Sequence, residues 1–246
     1  LARSADRPET LYSVLYCTLF SCWRSLPAAR RCALSDELMQ IADGLGNATA
    51  QIEASTLHLT SLLQRGDVDA AEKEIERFGR AIERFEVPSF FRWYGPLYRA
   101  MRATLAGRLE DGERLARESF GHAQRAHVYD APRAFATQLF AIRFDQGRLL
   151  ELAAPVADMV KRYPTDFSYV PLHALILAET GGARDARATF ESFFDHFDPR
   201  MDHNRDITDT ILANVCESLG DKQRARVIYD RLVPSADLLG VNLSGW

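Results

Sequence analysis

Cysteine is scarce in this chain, with Cys17, Cys22, Cys32 and Cys216 the four found in 246 residues. So few exclude a disulfide framework, and C-x4-C-x9-C matches no common zinc spacing, so buried free thiols are expected. Lysine is scarcer still, standing only at 73, 161 and 222. No run of about 18 apolar residues occurs, which leaves no helix to cross a membrane. The longest apolar stretch, Leu11 to Trp23, is broken by Ser13, Thr18 and Ser21. Missing too are the phosphate loop G-x-x-x-x-G-K-[ST], a G-x-G-x-x-G after a strand, H-E-x-x-H and G-x-S-x-G, so the common nucleotide, zinc-peptidase and hydrolase signatures are absent. No segment alternates with period two over β-branched residues, and strands are not expected. Neither sign of charge dominates: 30 basic and 34 acidic residues leave a net charge of -4. That balance argues against partnership with nucleic acid or an anionic membrane. With no basic-then-apolar leader ahead of Leu1, the chain reads as an excised piece of a longer, cytoplasmic polypeptide.

What is present is a repeat. Glycines at 66, 107, 147, 181 and 220 are spaced by 41, 40, 34 and 39 residues, and each is followed five positions later by Ala71, Gly112, Leu152, Ala186 or Ala225. Each glycine ends one amphipathic run and precedes another, as a helix C-cap that needs a left-handed backbone. A small residue five positions on removes bulk where two antiparallel helices cross. Leu152 departs from this rule. The remaining small residues predict buried hairpin crossings at Ala71, Ala186 and Ala225. An earlier pair, Leu11 to Arg24 and Ala28 to Gly44 across Pro27, brings the number of helix pairs to six. Most prolines fall at probable boundaries, while Pro96, Pro155 and Pro171 fit first turns or kinks. A helical hairpin cannot bury its apolar face alone, so the fold class expected is all-α, an α-solenoid of about six antiparallel helix pairs in one domain, 1–246. Its right-handed superhelix would offer a groove lined by the first helix of each pair. Near the C-terminus Val233, Leu238, Leu239, Val241, Leu243 and Trp246 form an apolar run, which predicts self-association through that end or a missing further repeat.

Three stretches, FRWYGPLYRAMRATLAGRLEDGERLARESF (91–120), AFATQLFAIRFDQGRLLEL (134–152) and PLHALILAETGGARDARATFESF (171–193), resemble a known family. So does YDRLVPSADLLGVNLSGW (229–246). The family is the degenerate tetratricopeptide-like helical repeats at the carboxyl end of large bacterial ATP-binding signalling proteins. Those join an AAA-type or STAND-type ATPase to an adenylate cyclase or a DNA-binding transcriptional regulator. The resemblance implies a non-enzymatic module for protein–protein interaction or effector sensing inside such a regulator, with no cofactor of its own. It also implies an alternative, a groove that binds a small sugar- or nucleotide-like effector, as in the family's regulator of maltose genes.

Counting back from each glycine by the offsets of the standard repeat places Glu53, Thr56, Thr60 and Gln64 on the groove wall, then Tyr94, Leu97, Met101 and Thr104. Thr137, Asp145, Ser168, Glu179, Thr210, Asn214 and Glu217 follow. None is Lys or Arg, so a clamp for a terminal carboxylate is disfavoured, and polar, neutral or basic ligands suit the wall better. Trp93, Tyr94, Tyr98 and Met101 form an aromatic stripe beside Arg92, Arg99 and Arg102, which reads as core packing first and as a stacking platform for a guanidinium or a base second. Asp195, His196, Asp198, Asp202, His203 and Asp206 crowd a short connection and are the candidate ligands of a metal-dependent enzyme. The preferred reading of that segment is a solvated turn with a helix cap.

Overall fold

A computed structural model describes residues 7–23, 26–84, 88–163, 169–199 and 205–241. Among them every regular element is helical, with no strand. The chain divides into two compact units, and the division falls between Gln138 and Leu139. The first unit holds α1 (Pro8–Cys22), α2 (Ala28–Leu45), α3 (Ala48–Gln64), α4 (Val68–Arg84), α5 (Tyr94–Leu105) and α6 (Leu109–Arg125). The division lies inside α7 (Ala131–Asp145), and the second unit continues through α8 (Ala153–Arg162), α9 (Tyr169–Glu179), α10 (Ala183–His196), α11 (Arg205–Leu219) and α12 (Lys222–Leu232).

The five glycines do what their spacing predicts: each has a positive φ, between 66° and 91°. Four of them close Schellman motifs in which two successive amides satisfy carbonyls of the helix just ended. Gly66 N–H donates to Leu63 and Asp67 N–H to Leu62, both at 3.0 Å, and the pattern recurs at Gly107, Gly147 and Gly220. Asp67 and Asp221 then cap the next helix, accepting from Ala70 N–H at 3.1 Å and Arg224 N–H at 3.0 Å. Glycine followed by Asp therefore stops one helix and starts another in two residues. Two turns of this kind lay outside the repeat as counted. Gly46 has φ 62°, with Asn47 capping α3 through Ala50 N–H at 3.2 Å. His127, at φ 52°, makes the same pair of bonds at the end of α6 with a side chain where the others have none.

Close packing follows these turns. Ala71 and Ala186 are fully buried, as predicted for hairpin crossings, whereas Ala225 is only half-buried, packed against the core that Ile228 enters one turn later. Leu152 is buried as well, at the end of a 3-10 turn over Leu149–Leu152 that replaces the start of a regular second helix. Pro96, Pro155 and Pro171 each stand in a first turn, where a missing N–H costs no hydrogen bond. In the first unit Tyr12, Leu15, Leu19, Leu34 and Leu38 form a core with Ala54 and Leu57, each large side chain contributing roughly 1.5–3 kcal/mol. The second unit closes around Ala174, Phe190, Leu212, Val215 and Ile228, and there α9 packs on both α10 and α11.

The thiols divide. Cys32 and Cys216 are buried, and burial pushes Cys216 up to about 11, but Cys17 and Cys22 are exposed on α1, contrary to expectation. Cys17 lies on the face of α1 opposite Leu15, and Cys22 is the last residue of the helix. No helix among the described residues is long and apolar enough to cross a membrane.

Candidate functional site

In the first unit α1 and α3 bring Tyr12 and Tyr16 to one carboxylate, Glu53, whose charge also reaches Tyr94 of α5. Tyr12 Oη lies 3.0 Å from Glu53 Oε2 and 3.1 Å from the carbonyl of Ala50, and its single proton serves both. Tyr16 stacks on Tyr12 at 6.1 Å and Phe20 on Tyr16 at 6.1 Å, so one stripe of α1 ends in a ring that is 59% exposed. Tyr94, at the start of α5, packs against Trp93 at 4.6 Å, Tyr98 at 5.9 Å and Phe78 at 6.0 Å. Burial raises the phenols of Tyr12, Tyr16 and Tyr94, the last to about 12, and the negative charge of Glu53 adds to each. All three are therefore neutral hydroxyls at physiological pH. Tyr16 was not singled out by counting, because α1 precedes the first glycine from which the register was taken. The i, i+4 run Tyr12–Tyr16–Phe20 was the available signal.

The other groove candidates are placed as follows. Thr56 is half-buried and bonds the Glu53 carbonyl at 2.8 Å, and buried Thr60 bonds the Thr56 carbonyl at 2.9 Å, as threonines on helices do when they turn back on their own backbone. Gln64 is buried and accepts from Arg31 Nη2 at 3.2 Å, which ties α2 to α3. Leu97, Met101 and Thr104 are buried too, with Trp93 and Tyr98, so the aromatic stripe is largely core. Thr137 is half-buried and bonds its own helix at 3.0 Å. In the second unit Asp145, Glu179, Thr210 and Glu217 are exposed. Ser218 donates to Glu179, and Asn214 bonds the Thr210 carbonyl at 2.8 Å, which joins α9 and α11 at their polar faces. Ser168 lies outside the described residues.

A second polar constellation, on α2, α3 and α4, was not read from the sequence. Glu74 is buried, accepting from Ser55 Oγ at 2.5 Å and from Arg77 Nε and Nη2 at 3.0 and 2.9 Å. Arg77 reaches on to Asp43 at 2.8 Å, while His58 stands 3.2 Å from Asp36 and 3.7 Å from Glu74. Burial works against the Glu74 carboxylate, but His58, Arg77 and Ser55 outweigh it and hold the pKa down at about 2. The clue in the sequence was a lone Glu inside the apolar stripe Ala71, Ile75, Phe78. An open cleft of about 620 Å³ adjoins this network, lined by Gln51, Arg77, Arg80, Ala81, Glu83 and Arg84.

No family model, curated protein or solved structure matches this chain.

What the residues can do must then come from their chemistry. Ser55 is buried and gives its proton to a carboxylate rather than to His58, so the Ser–His–Asp order needed for nucleophilic attack is not assembled. Among the described residues no three His, Cys, Asp or Glu side chains are grouped to hold a metal. Of the acidic connection, His196 Nδ1 bonds the Ser192 carbonyl at 2.8 Å and Asp195 lies 3.7 Å from Arg224. Asp202 and His203 fall outside the described residues. At the C-terminal end Val233 and Leu239 are exposed, Leu238 and Val241 are half-buried, and Leu243 and Trp246 again fall outside.

Proposed function

We propose that this chain is a non-enzymatic, tetratricopeptide-like module, its helix pairs stacked as a solenoid, which docks a protein segment for a larger ATP-dependent regulator. The observation that carries the docking role is the α1 and α3 face: a half-buried carboxylate and neutral phenols, with a large exposed ring beside them. Aromatic residues that combine apolar area with a polar tip are the usual anchors of protein interfaces. The glycine-capped helix pairs, which pack first helix on first helix at α9 and α11, support the repeat reading.

Site-specific photocrosslinking tests this. A photoreactive side chain at position 16 should trap one protein species in cells, and the same group at exposed position 73 on α4 should not. Equal trapping at both positions, or none at 16, overturns the docking role.

The cleft supports a second reading, a small polar effector. Its volume is within the range of small-molecule sites, roughly 300–1,000 Å³. Its three arginines would suit an anionic group. A thermal-shift screen of sugars and nucleotides separates the two, because a ligand at a hundred times its Kd adds about 2.7 kcal/mol of stability.

A further inference from the structure

The carboxylates of this protein that leave the surface lie, as a rule, against arginine. Glu74 pairs with Arg77, Glu113 with Arg117, Asp209 with Arg231 and Asp221 with Arg224. Glu53 breaks the pattern. It is half-buried, yet among the described residues its one partner is the Tyr12 hydroxyl, whose proton is shared with Ala50, and Oε1 carries no bond from the protein. Withdrawing a carboxylate from water without a counter-charge is costly, and a cation brought by a partner would repay that cost on binding.

The surroundings of Glu53 suit a cation in particular. Tyr12 holds the carboxylate at 3.0 Å and Tyr16 stacks on Tyr12 at 6.1 Å; both phenols stay neutral, so their rings keep the negative quadrupole that attracts ammonium and guanidinium groups. Phe20 continues the stripe outward as apolar surface for the methylene stem that Lys and Arg carry beneath their charge. None of the side chains that the contacts join on this face, Tyr12, Tyr16, Phe20 and Glu53, is basic.

We propose that the docked protein segment presents an arginine or lysine, whose charged head meets the Glu53 carboxylate beside the Tyr12 and Tyr16 rings while its stem lies along Phe20. This rests on the docking role proposed above and specifies the chemistry of what docks.

The test uses the whole chain with isotope-labelled tyrosine rings, titrated with the pentapeptide acetyl-Gly-Ala-Arg-Ala-Gly-amide, its citrulline analogue and its glutamate analogue. Citrulline keeps the shape of arginine without the charge. Arginine peptide should shift the rings of Tyr12 and Tyr16, and citrulline should bind at least tenfold more weakly. E53Q should remove that preference while leaving Tm unchanged or raised. Tyr16→Phe should retain binding and Tyr16→Leu should lose it, as expected for a ring face and not for a hydroxyl. Equal binding of arginine and citrulline peptides at these rings overturns the cation and leaves the docking role standing. If none of the three peptides shifts these rings, both fall. Binding of acetyl-arginine amide as tight as the pentapeptide overturns a protein segment as the ligand.

Discussion

Gly112 of α6 lies so close to Thr104 of α5 that a Cβ built on it would overlap Thr104 Oγ1 and stand 3.4 Å from the carbonyl of Ala100. Thr104 cannot swing away freely, because its hydroxyl bonds that same carbonyl at 3.0 Å. The backbones of the pair meet here, and the absence of a side chain is what lets them.

Gly112→Ala is therefore expected to destabilise the first unit by about 1–3 kcal/mol through overpacking, although alanine is the better helix former. Thr104→Ala in the same chain should recover part of the loss. Urea denaturation of the two single variants and the double variant measures the coupling.

Glu74 should give the protein a stability that depends on acid. Its carboxyl is held at about 2 in the fold against an ordinary 4.5, so the contribution is fully present above pH 4.5 and is lost as pH falls through 2. A shift of that size corresponds to about 3 kcal/mol. Glu74→Gln should flatten the stability curve between pH 5 and 2, read from urea midpoints across that range; a curve as steep as the parent's would assign the acid sensitivity elsewhere.

Arg231→Ala should uncover the opposite behaviour in the second unit. Asp209 is 0% exposed, its Oδ2 has no partner, and burial raises its pKa while Arg231, 3.2 Å away, opposes the rise. Without the arginine the carboxyl rises further. A raised carboxyl favours the folded state at low pH and costs stability as pH climbs through its folded value. The variant should lose about 3–5 kcal/mol at pH 7 and less at pH 4. Asp209→Asn in that background should restore most of it, as calorimetry at the two pH values would register.

His127→Gly should stabilise the protein by about 1 kcal/mol, since an exposed side chain there holds a left-handed backbone that glycine adopts without steric cost. The reciprocal change Gly107→Ala should cost a similar amount. A fall in Tm for His127→Gly would mean that the imidazole does more than occupy a turn.

The glycines made the helix boundaries legible because a left-handed cap is a backbone requirement that one residue type meets best. Gly46 and His127 escaped because they close turns between repeats, where no fixed spacing links them to the series. Tyr94 and Glu53 were reached from the same count, and Tyr94 lies within reach of the Glu53 charge. Thr60, Gln64 and Met101 came from that count too and are buried, since offsets along a helix fix direction and say little about how far a neighbour covers it. The Glu74 network required knowing that Asp43 of α2 reaches Arg77 of α4 and Asp36 of α2 reaches His58 of α3, long-range pairings that local pattern does not carry.

Helix α8 is regular in backbone but buries none of its residues. It packs on α9 and sets Ala153 and Val156 against Leu149, Leu152 and Ile176, but with no side chain fully covered it has less than its neighbours to oppose its opening, and such a segment unfolds locally before the rest. Its amides should lose protection against hydrogen exchange first. Trypsin should nick the native chain after the exposed Lys161 or Arg162 while the cores on either side persist. The weakest rung of the second unit is thus also its built-in point of severance.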